Sequence, residues 1–93
     1  MREREVEKAL KKAVKDKGGL ALKFVSPGFD GVPDRIILLP GAKIAFIELK
    51  APGKKMRPLQ EKRKRQLEAL GFLVFCIDNV SQIGGILDGI QTT

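Results

Sequence analysis

The sequence predicts an α/β fold: a helix, three strands, a second helix, a fourth strand and a closing helix, with a mixed four-stranded sheet flanked by helices. Three observations predict it. Apolar residues recur at helical spacing over residues 3–17. Short apolar runs bounded by Gly and Pro occupy residues 20–25, 35–39, 43–50 and 73–77. The chain has 93 residues, enough for a single domain, residues 1–93, that buries about 60–65% of its unfolded surface.

Each element has its own signal. Val6, Ala9, Leu10, Ala13 and Val14 form one stripe on the first helix, and Gly18-Gly19 stops it. Leu20 to Val25 has strand composition and is followed by turn residues Ser26-Pro27-Gly28 and the corner Gly31-Val32-Pro33. Arg35–Leu39 and Lys43–Lys50 are joined through Pro40-Gly41, so short a link that the two strands form an antiparallel hairpin. Pro58 suits the first turn of a helix over residues 58–70, closed by Gly71, with Leu59, Leu67 and Leu70 as its buried stripe. Leu73 to Ile77 is almost wholly apolar, which predicts a central strand with helices on both faces. Ser81 opens a last helix through Ile83, Ile86, Leu87 and Ile90, weakened by Gly84-Gly85.

Composition narrows the chemistry. A net charge of +7 favours a polyanionic partner, because each phosphate contacted releases condensed counterions. The chain has no His and no Tyr, which excludes His-ligated metals, His general bases and a phosphotyrosyl intermediate. No Trp and only five Phe disfavour a single-strand binder built on aromatic stacking. Any hydrolysis must run on carboxylates, lysines and a bound cation. No apolar stretch approaches the roughly 18 residues of a membrane span and the amino-terminal charges suit no signal peptide, so the expectation is a soluble cytoplasmic protein without membrane contact. Cys76 lies in an apolar strand as a small hydrophobe with no catalytic part.

The chemistry-bearing residues sit on the predicted hairpin. A strand projects alternate side chains to opposite faces, so Glu48 and Lys50 point the same way out of an otherwise apolar run. Asp34 begins one arm and Glu48 lies near the end of the other, and antiparallel pairing brings them together. Hydrolysing a phosphodiester requires neutralising charge on a pentavalent phosphate and producing hydroxide near neutral pH. Asp34 and Glu48 are oxygen donors suited to Mg²⁺ or Mn²⁺, with the Leu49 main-chain carbonyl completing the shell and Lys50 orienting water or offsetting phosphate charge. Taken alone, Asp34 after Pro33 reads as a turn residue and Glu48 with Lys50 as an edge-strand surface pair.

These residues resemble a known family. Pro33-Asp34, followed after thirteen residues by Glu48-Leu49-Lys50, resembles the signature of the PD-(D/E)xK nuclease superfamily, whose restriction-endonuclease-like core has the element order inferred above. Gly31-Val32-Pro33-Asp34-Arg35, Ile47-Glu48-Leu49-Lys50-Ala51-Pro52-Gly53 and Gln60 are similar to the virus-type replication-repair nuclease (VRR-NUC) domain over nearly the whole chain. The resemblance implies an acid on the first helix facing the site. Glu3 falls within the apolar stripe on a helical wheel and ranks first; Glu7 lies at its margin and ranks second; Glu5 faces away. The segment Glu3-Arg4-Glu5-Val6 is also similar to the first helix of archaeal Holliday-junction resolvases. Gln60 matches the family's trailing glutamine, near the metal water or scissile phosphate.

Together these imply a metal-dependent endonuclease acting on branched DNA such as a four-way junction, as a homodimer that presents two sites to two strands. Lys54, Lys55, Arg57 and Arg63, with the neighbouring basic residues of the second helix, are the candidate phosphate contacts. A duplex nickase or restriction-like enzyme, and a non-catalytic nucleic-acid-binding module of the same fold, are the rival expectations.

Overall fold

The computed structural model describes residues 2–93. Helix α1 (Glu3–Asp16) leads into strand β1 (Leu20–Lys23), then β2 (Arg35–Leu39), β3 (Lys43–Leu49), helix α2 (Pro58–Ala69), strand β4 (Leu73–Ile77), a 3₁₀ turn (Val80–Gln82) and helix α3 (Ile83–Gln91). The order along the sheet is β1-β2-β3-β4. Strands β1 to β3 form an antiparallel meander, and β4 joins β3 in parallel, as required when a helical crossover links them.

One sheet face carries the main core. Val6, Leu10 and Val14 of α1, and Ile83, Leu87 and Ile90 of α3, pack on Ile37, Leu39, Ala45, Ile47, Leu49 and Ile77. The turn from α1 into β1 is tight enough that a Cβ on Gly19 would lie 2.3 Å from the Leu38 carbonyl oxygen, so only glycine fits. The other face is thinner: Phe46 meets Phe24 at 5.7 Å and Phe72 edge-on at 5.6 Å between ring centroids, with α2 crossing towards β4. Among the described residues, no helix is long and apolar enough to cross a membrane.

Four expectations need correction. Strand β1 ends at Lys23; the Phe24 N–H still donates to the Asp34 carbonyl, and the chain departs from the sheet after it. Strand β4 is an edge strand, not a central one; its apolarity reflects helices over both of its faces, whereas β2 and β3 have a strand on each side and β3 carries five successive buried residues. The last helix is introduced by Asn79, whose side chain accepts from Ser81 N–H at 2.9 Å, and Ser81 lies inside the 3₁₀ turn. Finally, of the leucines expected to line α2's buried stripe only Leu67 turns inward, whereas Leu59 and Leu70 are 42% and 74% exposed. Its inward positions are Gln60, Arg63, Lys64 and Leu67, spaced i, i+3, i+4 and i+7. The helix is rotated relative to the leucine-centred wheel, so a glutamine faces the sheet and long basic side chains cover apolar surface with their stems.

Candidate active site

The β2–β3 register assembles the site. Arg35 pairs with Ile47, so Asp34 stands opposite Glu48 one step beyond that pair, at the end of the sheet where β3 and β4 both terminate. Glu48, Lys50 and Phe46 share the face that α2 covers, whereas Arg35, Ile47 and Leu49 point to the α1 side.

Glu48 is only 4% exposed and has two partners. Gln60 Nε2 donates to its Oε2 at 2.9 Å, and Lys50 Nζ lies 3.3 Å from the same oxygen. A buried carboxylate so partnered is fixed in rotamer. Gln60 is itself fixed, because its Oε1 accepts the Arg57 N–H at 2.9 Å at the start of α2. The amide of Gln60 is thus engaged by Glu48 and the helix cap.

Asp34 is held more loosely. Its Oδ2 accepts the Leu49 N–H at 3.4 Å, and its Oδ1 is buried without a hydrogen-bond partner among the described residues. Desolvation, reinforced by the charge of Glu48, raises its carboxyl to about 6; the Leu49 N–H and Arg35 oppose the shift and Glu3 adds to it. An orphaned buried carboxylate oxygen beside a second acid is costly for the free protein and is the arrangement a cation relieves.

On α1, Glu7 and Glu3 are distinguished by their partners. Glu7 Oε2 lies 2.7 Å from Arg35 Nη2, and hydrogen bonding to that guanidinium holds the Glu7 carboxyl below its usual range. Glu7 is thereby committed to the buried Arg35. Glu3 lies at the exposed start of α1, not within the buried stripe, which begins at Val6, but its charge reaches Asp34. Cys76 pairs in register with Glu48; burial, then Glu48, pushes its thiol up, which keeps it protonated and inert.

The structure therefore brings together Asp34, Glu48, Lys50 and Gln60, with the Leu49 main chain between the acids. Lys54, Lys55 and Arg57 are exposed in the segment leading to α2, and Arg57 lines a cavity of about 340 Å³ with Asp30, Gly31, Leu59 and Gln60. Arg63 is only half exposed, and its guanidinium is engaged by Asp30 and Gln66 within the protein. Sequence reasoning assigned no task to Arg35; its signal is a charge at a strand position whose parity points into the core. Among the described residues, no three His, Cys, Asp or Glu side chains group to hold a metal. The oxygens available here for a cation would be those of the Asp34 and Glu48 carboxylates, with the expected Leu49 carbonyl. All are oxygens, which fits a hard divalent cation that retains waters.

A PD-(D/E)xK-type nuclease is the class that this sheet and its paired acids define. No family model matches the chain. It is 49% identical over 91 residues, 98% of this chain and 97% of the relative, to "Putative nuclease p44" of Acyrthosiphon pisum secondary endosymbiont phage 1. It superposes on a solved structure described as a VRR_NUC domain with a TM-score of 0.86 at 29% identity, covering 92% of this chain and 94% of that one. The chain belongs to the VRR-NUC nuclease family.

Proposed function

We propose that this nuclease is a Mg²⁺- or Mn²⁺-dependent endonuclease that cuts phosphodiester bonds of branched DNA as a homodimer. The observation that carries the metal-dependent reading is the buried, unpartnered Oδ1 of Asp34 opposite Glu48, with Lys50 beside them. Asp34, Glu48 and the Leu49 carbonyl hold the cation. When bound, it offsets charge on the phosphate and eases deprotonation of water. Lys50 Nζ, anchored on Glu48, donates to the incoming water or to a non-bridging phosphate oxygen. Gln60 keeps Glu48 in its rotamer, and Glu3, whose charge reaches Asp34, would support a water or a second ion. One P–O bond forms to the water oxygen, one breaks to a sugar oxygen, and that oxygen takes up a proton.

The net charge of +7 and the exposed Lys54, Lys55 and Arg57 support a DNA partner. The homodimer draws support from apolar side chains left open on β1, where Leu20 and Leu22 are 59% and 44% exposed. Branched DNA follows by analogy with the family that the chain resembles.

The test is cleavage of labelled junction, flap, splayed and linear duplex DNA with Mg²⁺ or Mn²⁺ and with chelator, beside a mass measurement in solution. Cation-dependent cutting of the branched substrates by a dimer is the expected result. Preferential duplex nicking by a monomer identifies the rival enzyme, and binding without cutting identifies a non-catalytic module. Lys50→Ala should abolish cutting and leave DNA binding largely intact; undiminished cleavage by that variant removes Lys50 from the mechanism.

A further inference from the structure

The segment that carries Asp34 into the sheet is held by α2. At its base, the Phe24 N–H donates to the Asp34 carbonyl at 2.8 Å. Between those residues the chain leaves the sheet and lies on α2, where its contacts converge on Arg63 and Leu59. Arg63 Nε donates to the Asp30 carbonyl at 2.7 Å, and its guanidinium carbon lies 3.7 Å from the centroid of the Phe29 ring. Arg63 Nη1 donates to Gln66 Oε1 at 3.0 Å, which sets the guanidinium plane from within the helix. Gly31, at φ +88°, approaches so closely that a Cβ there would lie 2.8 Å from Leu59 Cγ and 3.3 Å from Arg63 Cγ.

Asp34 needs this support. Among the described residues its side chain has one long hydrogen bond and one oxygen with none, so its position is inherited from the backbone that delivers it. We infer that Arg63 is a positioning residue: by clamping Phe29, Asp30 and Gly31 onto α2 it fixes the approach to Pro33-Asp34 and sets Asp34 against Glu48. Helix α2 then locates both acids, Glu48 through Gln60 and Asp34 through Arg63. Arg63 does this with the guanidinium that the sequence assigns to phosphate. The catalytic consequence rests on the nuclease reading above; the clamp is a property of the protein without metal or DNA.

The experiment uses the full chain as wild type, Arg63→Lys, Arg63→Ala and Phe29→Leu. Lysine keeps the charge but loses the planar fork, and Phe29→Leu removes the ring without changing charge, so either variant reads the clamp if Arg63→Ala does not fold. Without metal, amide hydrogen exchange over residues 26–33 should quicken about tenfold in Arg63→Ala and less in the other two, with β3 unchanged. Mn²⁺ affinity, followed by its electron paramagnetic resonance signal, should fall in Arg63→Ala, although removing a nearby positive charge by itself would raise it. In chelator, the slope of log DNA affinity against log salt should stay that of the wild type, whereas an arginine that neutralised a phosphate would lower it by about 1 on removal. Cleavage should show a roughly tenfold lower kcat at unchanged KM, corresponding to about 1.4 kcal/mol.

Unchanged loop exchange in all three variants, or a salt slope lowered by about 1, overturns the inference. A wild type that binds no Mn²⁺ and cuts no DNA removes the nuclease reading instead, and loop exchange still decides whether Arg63 is a clamp.

Discussion

Asp34 concentrates the tension of the site. Its carboxyl is raised from 3.8 to about 6 by burial and by Glu48, so the folded chain holds this proton more tightly than the unfolded chain does. The stability of the metal-free protein from this group is therefore full below the unfolded value and is lost as pH rises from about 3.8 to 6. Asp34→Asn carries no such loss. In chelator at pH 7.5 the variant should be more stable than wild type by about 1–2 kcal/mol, allowing for partial solvent access, and should melt several degrees higher. The gap should close towards pH 4. Differential scanning fluorimetry across that range checks it, and a variant that melts below wild type at pH 7.5 contradicts the account. Added Mg²⁺ or Mn²⁺ should stabilise wild type alone, with affinity falling about tenfold per pH unit below 6 because the cation must displace one proton.

At the same scale, legibility in the sequence followed how local the governing geometry is. Strand parity alone sets Glu48 and Lys50 on one side, and their 3.3 Å pair reflects it. The direction in which Arg63 is used depends on a loop thirty-odd positions upstream in the chain, which no helical wheel contains. Periodicity ranks Glu3 above Glu7 by placing it in the apolar stripe, yet Glu3 is exposed, and what distinguishes the two acids is Arg35 reaching Glu7 from another element.

Among the elements, the β2–β3 hairpin dominates. Its ladder runs from Arg35↔Ile47 to Leu39↔Lys43, leaving Pro40, Gly41 and Ala42 to turn the chain. Ala42 has φ 60°, a left-handed conformation that costs a residue with a Cβ about 1 kcal/mol. Ala42→Gly should stabilise the protein by up to about 0.5–1 kcal/mol, set against the greater freedom of glycine in the unfolded chain. Urea melts of the two proteins decide this, and a destabilised variant would show that the turn is not strained. The hairpin was legible because a short turn between apolar runs admits one pairing. Helix α2 was not: its leucines suggest a buried stripe, but the surface it covers contains Glu48, and satisfying a buried carboxylate with Gln60 outweighs burying Leu59. Strand β4 misled for a related reason, because composition reports how much of a strand is covered but not which neighbours pair with it.

Across the whole molecule, the two sheet faces divide the work. The α1–α3 face supplies the continuous core, and the thinner α2 face carries the acids and leaves apolar side chains such as Ile44 and Phe72 partly open. Basic residues gather where Ala51–Arg57 leads into α2, beside the acids. Replacing Lys54, Lys55 and Arg57 together by Ala should lower the salt slope of DNA binding by about 1 for each phosphate no longer neutralised, while thermal stability stays within about 0.5 kcal/mol of wild type. Fluorescence anisotropy over a salt series measures this; an unaltered slope places the DNA path elsewhere.

The register of the hairpin also limits how a gene for this fold can drift. Because facing alternates with every position, a single codon gained or dropped between Leu39 and Glu48 is harmless only if the turn absorbs it; otherwise Ile47 and Glu48 exchange sides, an aliphatic group enters the candidate site and a carboxylate enters the oil. Spelling is free along much of that stretch, but counting is not.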